Sequence, residues 1–311
     1  MDRPDLLMIV PMPEPVVAGL AQDFTLHSLA EAEDADALLA RLAPTLRFAV
    51  TSGRCSASLM EALPKLEVIA SYGVGYDGID VDAAAARGIR VTNTPGVLSD
   101  CVAEVTLGLM IALAHRIPQA DRYVRESRWL QGNFPLTAEL TGARAGILGL
   151  GRIGKEIARR LEAFRMEVAY HGRREQADVP YRYFADLEAM ARAVDWLVVI
   201  APGSSATQGI VSRRIMEALG PEGCLVNVAR GSLVDEPAMV ELLATGQLGG
   251  AALDVFADEP HVPEALFGLE NVVLLPHQGS ATHRTRKAMG DLVVANLLAH
   301  KRGEPLLTPV T

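Results

Sequence analysis

The sequence predicts an α/β protein of two doubly wound parallel-sheet domains with a cleft between them. Two observations lead there. Short Val/Ile/Leu-rich runs alternate with helical patterns along most of the 311 residues, as they do when helices cover both faces of a parallel sheet. The alternation also comes in two series, separated by a long helical stretch, which divides the chain into two lobes.

In the first series the apolar runs "LLMIV", "FTLHSL", "LRFAVTS" and "LEVIASYG" are spaced by the helical patterns "EPVVAGLAQD", "ADALLARLA" and "SASLMEALPK". In "GIDVDAAAARGIRVTN", Asp80 can cap a short helix, Gly88 can end it and "IRVTN" resumes a strand. From Ser99 to about Arg128 the spacing of Val102, Val105, Leu109 and Leu113 predicts one long helix bridging the lobes. The second series runs through "ARAGILGLG", "MEVAYHG", "VDWLVVIAPG", "GCLVNVARG", "GGAALDVF" and "NVVLLPHQG", with helices between. Such runs match strands buried on both faces. A helix follows "PHQGSAT", and "EPLLTPVT" ends the chain.

Composition narrows the function. A hydrophobic half provides a sizeable core, and a net charge of −9 argues against a nucleic-acid surface, which needs clustered Lys and Arg. Cys55, Cys101 and Cys224 stand far apart, suggesting neither disulfides nor a zinc site, and a reducing compartment is expected. "MDRPDLLMIVPMPEP" lacks the features of a signal peptide, and "VAEVTLGLMIALA" is too short to span a bilayer and carries Glu104. A cytoplasmic protein without membrane partners is expected.

Gly149, Gly151 and Gly154 form G-x-G-x-x-G between the strand "AGIL" and the helix "RIGKEIARRLEAF". The first glycine permits a tight turn, the second a close approach to a pyrophosphate, and the third close helix–strand packing. Arg152 and Ile153 stand at the helix N-terminus, which favours anions. About 20 residues beyond the first glycine an NAD-binding protein carries an acid for the ribose 2′-OH. "AYHGRR" has none. Arg173 and Arg174 instead suit the 2′-phosphate of NADP through charge-assisted bonds; the alternative is a solvated surface pair.

"SYGVGYDGIDV", "VTNTPGVLSDCVAEVTLGLM", "LTGARAGILGLGRIG", "VNVARGSLVDE", "GGAALDVFADEP" and "NVVLLPHQGSAT", in this order over nearly the whole chain, resemble the D-isomer-specific 2-hydroxyacid dehydrogenase family. "EALGPEGCLVNVARGSLVDEPAMV" and the stretch from "PEALFGLENVVLLPHQGSATHRTRK" to "LLTPV" resemble its NADPH-preferring glyoxylate and hydroxypyruvate reductase branch, which includes hydroxyphenylpyruvate reductases. The resemblance implies the Rossmann-like character of both lobes. It also implies a substrate domain from residues 1–98 with 285–311, a coenzyme domain over 99–284, and a homodimer built through the latter. NADPH is the expected coenzyme, with NADH as a second.

By the same resemblance His277 is the catalytic acid–base, Glu259 its acidic partner and Arg230 the carboxylate-binding cation. Histidine suits proton transfer near neutral pH, a carboxylate orients the ring, and the guanidinium fork suits a carboxylate. Taken alone, His277 is better explained by a capping or core role. Backbone N–H groups of Val74 and Gly75 can grip the substrate carboxylate, or "SYGVGYDG" is a simple turn. Asp254 is matched to the nicotinamide carboxamide. Thr106, Val228, Ala229 and Arg230 are placed near the nicotinamide, Ala201, Pro202 and Thr207 near the adenosine half, and His277 and Gly279 are counted among the coenzyme-binding residues. No metal site is expected.

Two departures are noted. Gln278 stands where many relatives carry an aliphatic residue, and Ala143 where a basic one is frequent. Rival functions are a phosphite or D-lactate dehydrogenase, or a nucleotide-sensing corepressor-like binding protein of the same fold. Glu259 argues against a formate dehydrogenase, which carries an amide there.

Overall fold

A computed structural model describes residues 3–311. The chain forms two units, one running to Leu98 and resuming at Ser280–Thr311, the other spanning Ser99–Gly279. The second crossing falls at 279/280 rather than at the expected 284/285. Gly279 is still tied by its N–H to Asp254 at 2.8 Å, whereas Thr282 already caps the helix His283–Lys301 of the first unit.

In the first unit β1 (Asp5–Met8), β2 (Thr25–Ser28), β3 (Phe48–Thr51), β4 (Val68–Ser71) and β5 (Arg90–Thr92) form a parallel sheet in the order β2-β1-β3-β4-β5. β3 and β4 are buried along their whole length, in keeping with their unbroken apolar runs. Asp80 caps the helix Val81–Ala86 by accepting the Ala83 N–H at 2.9 Å, and Gly88 follows it at φ 71°, as its sequence predicts. A two-residue ribbon pairs Arg54–Cys55 with Gly78–Ile79. The last residues also join the sheet: Pro309 bridges Thr92 antiparallel, and the Val310 N–H donates to the Val91 carbonyl at 2.7 Å.

In the second unit β6 (Arg144–Leu148), β7 (Glu167–His171), β8 (Arg182–Phe184), β9 (Trp196–Val199), β10 (Cys224–Asn227), β11 (Gly250–Leu253) and β12 (Val272–Leu274) form a parallel sheet in the order β8-β7-β6-β9-β10-β11-β12. The strand order reverses between β6 and β9. Ligands gather beyond the strand C-termini at such a reversal. β9 and β11 are wholly buried; the edge strand β8, short and part-exposed, carries no apolar run to announce it.

The helix expected from Ser99 to about Arg128 is broken. Ser99–Ala114 and Ile117–Arg125 are separate helices whose axes differ by 59°, with Arg116 between them at φ 50°. Pro118 is the cause, because it has no N–H to donate to the Ala114 carbonyl and is tolerated only in a first helical turn. The Ala138 N–H takes that carbonyl instead, at 3.1 Å. Both helices lie within the Ser99–Gly279 unit. The first is buried on most of its surface and packs on the helix Arg152–Ala163, where Arg160 meets Asp100 at 2.8 Å. Among the described residues no single helix is long and apolar enough to cross a membrane.

Candidate active site

The glycine loop leaves β6. Gly149 lies at φ 102°, where side chains are strained, and a Cβ there would come within 2.7 Å of the Ala201 backbone. A Cβ on Gly154 would overlap the Gly149 carbonyl oxygen, so the helix begins as near the strand as backbones allow. Gly151 faces open space and provides no side-chain cap. First-turn N–H groups, those of Arg152 and Ile153 included, have no intrahelical acceptor and stand at the positive end of the helix dipole. The cradle fits a pyrophosphate.

Arg173 and Arg174 follow β7, exposed, and neither forms a hydrogen bond or ion pair with a described residue. Gln176 ties their loop to the glycine loop. Its Nε2 donates to the Leu150 carbonyl at 2.8 Å and its N–H to the Tyr170 hydroxyl at 2.7 Å. Two unpaired guanidinium groups thus stand beside the cradle, as the 2′-phosphate of a dinucleotide requires.

The loops beyond β11 and β12 bring Asp254, Glu259 and His277 together. His277 Nδ1 lies 2.6 Å from Glu259 Oε2, while Glu259 Oε1 accepts the Phe256 N–H at 3.1 Å. Both carboxylate oxygens are therefore engaged, and Nε2 is left without a partner among the described residues on a half-exposed side chain. Asp254 fixes the turn below. Its carbonyl accepts the His277 N–H at 2.8 Å, and its carboxylate accepts those of Gln278 and Gly279 at 2.7 and 2.8 Å. These bonds hold His277 at φ 49°, a left-handed backbone uncommon outside glycine. Burial raises the Asp254 carboxyl above its ordinary 3.8, and the two N–H groups oppose the rise. Gly279 is buried against it, since a Cβ there would come 2.9 Å from Asp254 Oδ2. The Gln278 side chain is exposed.

Arg230 ends the turn after β10. The Asn227 side chain, 1% exposed, staples that turn, its Nδ2 donating to the Arg230 carbonyl at 2.9 Å and its Oδ1 accepting the Ala229 N–H at 3.1 Å. One guanidinium nitrogen of Arg230 donates to the Ala229 carbonyl at 2.7 Å, and the Val228 N–H donates to Val199 at 3.2 Å. Gly231 then brings this loop against the next. A Cβ on it would overlap the Phe256 carbonyl group and the Ala257 nitrogen, so the loops carrying Arg230 and Glu259 touch backbone to backbone. Asn227, Gly231 and Gln176 were not expected at the site; the first two flank Arg230 within "VNVARG", which is the only signal they give.

The remaining candidates divide. Thr106 is fully buried, its hydroxyl donating to the Val102 carbonyl at 2.7 Å. Ala201 packs on Gly149, and Thr207 Oγ1 closes the following loop by donating to the Pro202 carbonyl at 2.8 Å. Val74 and Gly75 belong to the other unit, in the loop after β4, and the N–H of neither finds an acceptor among the described residues. Among the described residues no three His, Cys, Asp or Glu side chains are grouped to hold a metal ion.

A family model described as D-isomer specific 2-hydroxyacid dehydrogenase, NAD binding domain, matches residues 107–279. The chain is similar to glyoxylate/hydroxypyruvate reductase A of Arabidopsis thaliana, at 47% identity over 100% of both chains. It is similar also to hydroxyphenylpyruvate reductase of Plectranthus scutellarioides, at 46% identity over 100% of both. Among solved structures it resembles the NADPH-dependent glyoxylate/hydroxypyruvate reductase of Sinorhizobium meliloti in complex with NADP and malonate. There the TM-score is 0.95 and the identity 46%, over 100% of this chain and 97% of that one. With motifs, sheet order and relatives in agreement, the chain belongs to the D-isomer-specific 2-hydroxyacid dehydrogenase family.

Proposed function

We propose that this enzyme reduces small 2-oxo acids, glyoxylate and hydroxypyruvate first among them, to 2-hydroxy acids with NADPH. The observation that carries the proposal is the His277–Glu259 contact of 2.6 Å, with Glu259 on a loop packed against the one presenting Arg230. The relatives named for those substrates, matched over the full chain, support it.

When bound, the reduced coenzyme supplies a hydride. Gly149, Gly151 and Gly154, with the Arg152 and Ile153 N–H groups, hold the pyrophosphate, and Arg173 and Arg174 hold the 2′-phosphate. Asp254, Thr106, Val228, Ala229 and Gly279 line the nicotinamide end, and Ala201, Pro202 and Thr207 the adenosine end. Arg230 binds the substrate carboxylate and polarises the carbonyl. Val74 and Gly75 offer further N–H donors to the carboxylate. Protonated His277 gives the Nε2 proton to the carbonyl oxygen while Glu259 keeps the ring oriented; in oxidation the neutral ring takes the hydroxyl proton back. A second copy packs on the exposed apolar segment around Trp129, Leu130 and Leu136 to give a homodimer. The three cysteines of the chain, none of them disulfide-bonded in the structure, suit a reducing cytoplasm.

The test is the initial rate of coenzyme oxidation with hydroxypyruvate and with glyoxylate, comparing NADPH and NADH at matched low concentrations. Faster turnover with NADPH is expected. Absence of turnover with either coenzyme overturns the proposal. Because the hydroxyphenylpyruvate reductase is almost equally similar, hydroxyphenylpyruvate belongs in the same assay, and a higher kcat/KM for it would move the substrate class to aromatic 2-oxo acids.

A further inference from the structure

We propose that Thr308 is a positioning residue for the substrate carboxylate, acting on the Val74 N–H through two rigid peptide planes. The inference rests on Val74 and Gly75 being carboxylate donors, and it lies wholly within the first unit. The trans peptide group is planar, with N–H and C=O pointing in opposite directions, so fixing a carbonyl aims the N–H of the next residue. The Thr308 hydroxyl donates to the Asn93 carbonyl at 2.6 Å. In the same plane the Thr94 N–H donates to the Gly73 carbonyl at 2.9 Å. The plane of that carbonyl ends in the Val74 N–H. Beside this relay, Asn93 Nδ2 donates to the Val74 carbonyl at 2.8 Å, which aims the Gly75 N–H.

Thr308 is itself clamped from behind. Asn296, fully buried in the helix His283–Lys301, donates from Nδ2 to Thr308 Oγ1 at 2.9 Å. Its Oδ1 accepts the N–H groups of Leu307 and Thr308 at 3.0 and 3.2 Å. With Asn296 donating to it, the Thr308 hydroxyl has its own proton directed to Asn93. Asn93 and Thr94 are 9% and 0% exposed, so water does not readily replace the lost bond, and successive hydrogen bonds in such a chain polarise one another. The segment Leu307–Thr311, which the sequence shows only as the short run "LTPVT", thus reaches the binding loop without touching the ligand.

Thr308→Val keeps the shape and deletes the hydroxyl; Thr308→Ser keeps the hydroxyl. A carboxylate donor that binds ground state and transition state alike affects KM and leaves kcat. Thr308→Val is expected to raise the KM for glyoxylate and the inhibition constant of oxamate by about three- to tenfold, the size of one hydrogen bond. The kcat and the KM for NADPH should stay within about twofold, and Thr308→Ser should behave as wild type. An unchanged glyoxylate KM in Thr308→Val, or equal losses in all parameters for both variants, overturns the proposal. Gly75→Pro, which deletes a donor outright and is checked for folding by circular dichroism, separates the two levels. If it raises the glyoxylate KM while Thr308→Val does not, only the positioning role falls. If a folded Gly75→Pro leaves that KM unchanged, the Gly75 donor falls, and the relay to the Val74 N–H stands or falls by the Thr308→Val result.

Discussion

His277 is held from two sides, by Glu259 at Nδ1 and by the Asp254 carbonyl at its backbone N–H. The ring therefore has one free nitrogen and a fixed direction, the condition for moving one proton at one atom. His277→Ala removes that proton donor while leaving the glycine loop and the arginine pair intact. A positioned acid contributes about 10²–10⁴-fold, so kcat should fall by that range while the Kd for NADPH, read by fluorescence titration, changes little. An unchanged kcat would remove His277 from the mechanism. These residues were reached in the sequence through the motifs that carry the family resemblance, His277 after "NVVLLP" and Arg230 in "VNVARG", whereas His277 alone reads as a capping or core residue. Asn227 and Gly231 were not, since an amide that staples a turn and a glycine that admits Phe256 act through residues the sequence does not place beside them.

At the scale of elements, the same physics separates what was read from what was missed. Strands buried on both faces write themselves as apolar runs, and the glycine spacing marks its strand-to-helix junction. The break at Pro118 overrode a helical periodicity that continues on both sides of it, and the pairing of Pro309 with Thr92 depends on a partner more than 200 residues away in sequence. At the end of β7 the stretch "AYHGRR" carries two arginines and no acid, and the structure adds that Gln176 pins the following loop to the glycine loop. That pinning keeps two exposed guanidinium groups beside the cradle without an internal acceptor. Replacing Arg173 and Arg174 together by Ala should raise the KM for NADPH by about 10–100-fold, the loss of one or two charge-assisted bonds reduced by solvent. The KM for NADH should move by less than about threefold, and the wild-type preference should weaken as salt is added. Equal losses for the two coenzymes would assign the pair a structural role.

For the whole molecule, the net charge of −9 favours solubility, yet one stretch of the second unit leaves large apolar side chains in water. Trp129 is 64% exposed, Leu130 89% and Leu136 fully so, joined by Ile117 and Val124. This is no unfolded strip. Tyr123 stacks edge-on against Phe134 with centroids 5.3 Å apart, its hydroxyl donates to the Gly132 carbonyl at 2.9 Å, and Arg128 covers its ring at 4.7 Å. Gln119, Arg116 and Arg122 anchor the adjoining helix to Glu270. A segment that is internally ordered while exposing several large apolar side chains has the character of an interface, and closed twofold symmetry is the commonest way for a chain to cover such a surface with its own copy. A stable dimer needs about 1,200–2,000 Å² of total buried area, so charges at the most exposed positions should be decisive. Leu130→Glu combined with Leu136→Glu should shift the mass measured by sedimentation equilibrium from two chains to one at micromolar concentration. The far-ultraviolet circular dichroism should be unchanged, because neither side chain packs in the core. If the double variant sediments as a dimer, the second copy binds another surface. If the wild type is itself a monomer, the apolar segment serves some other partner.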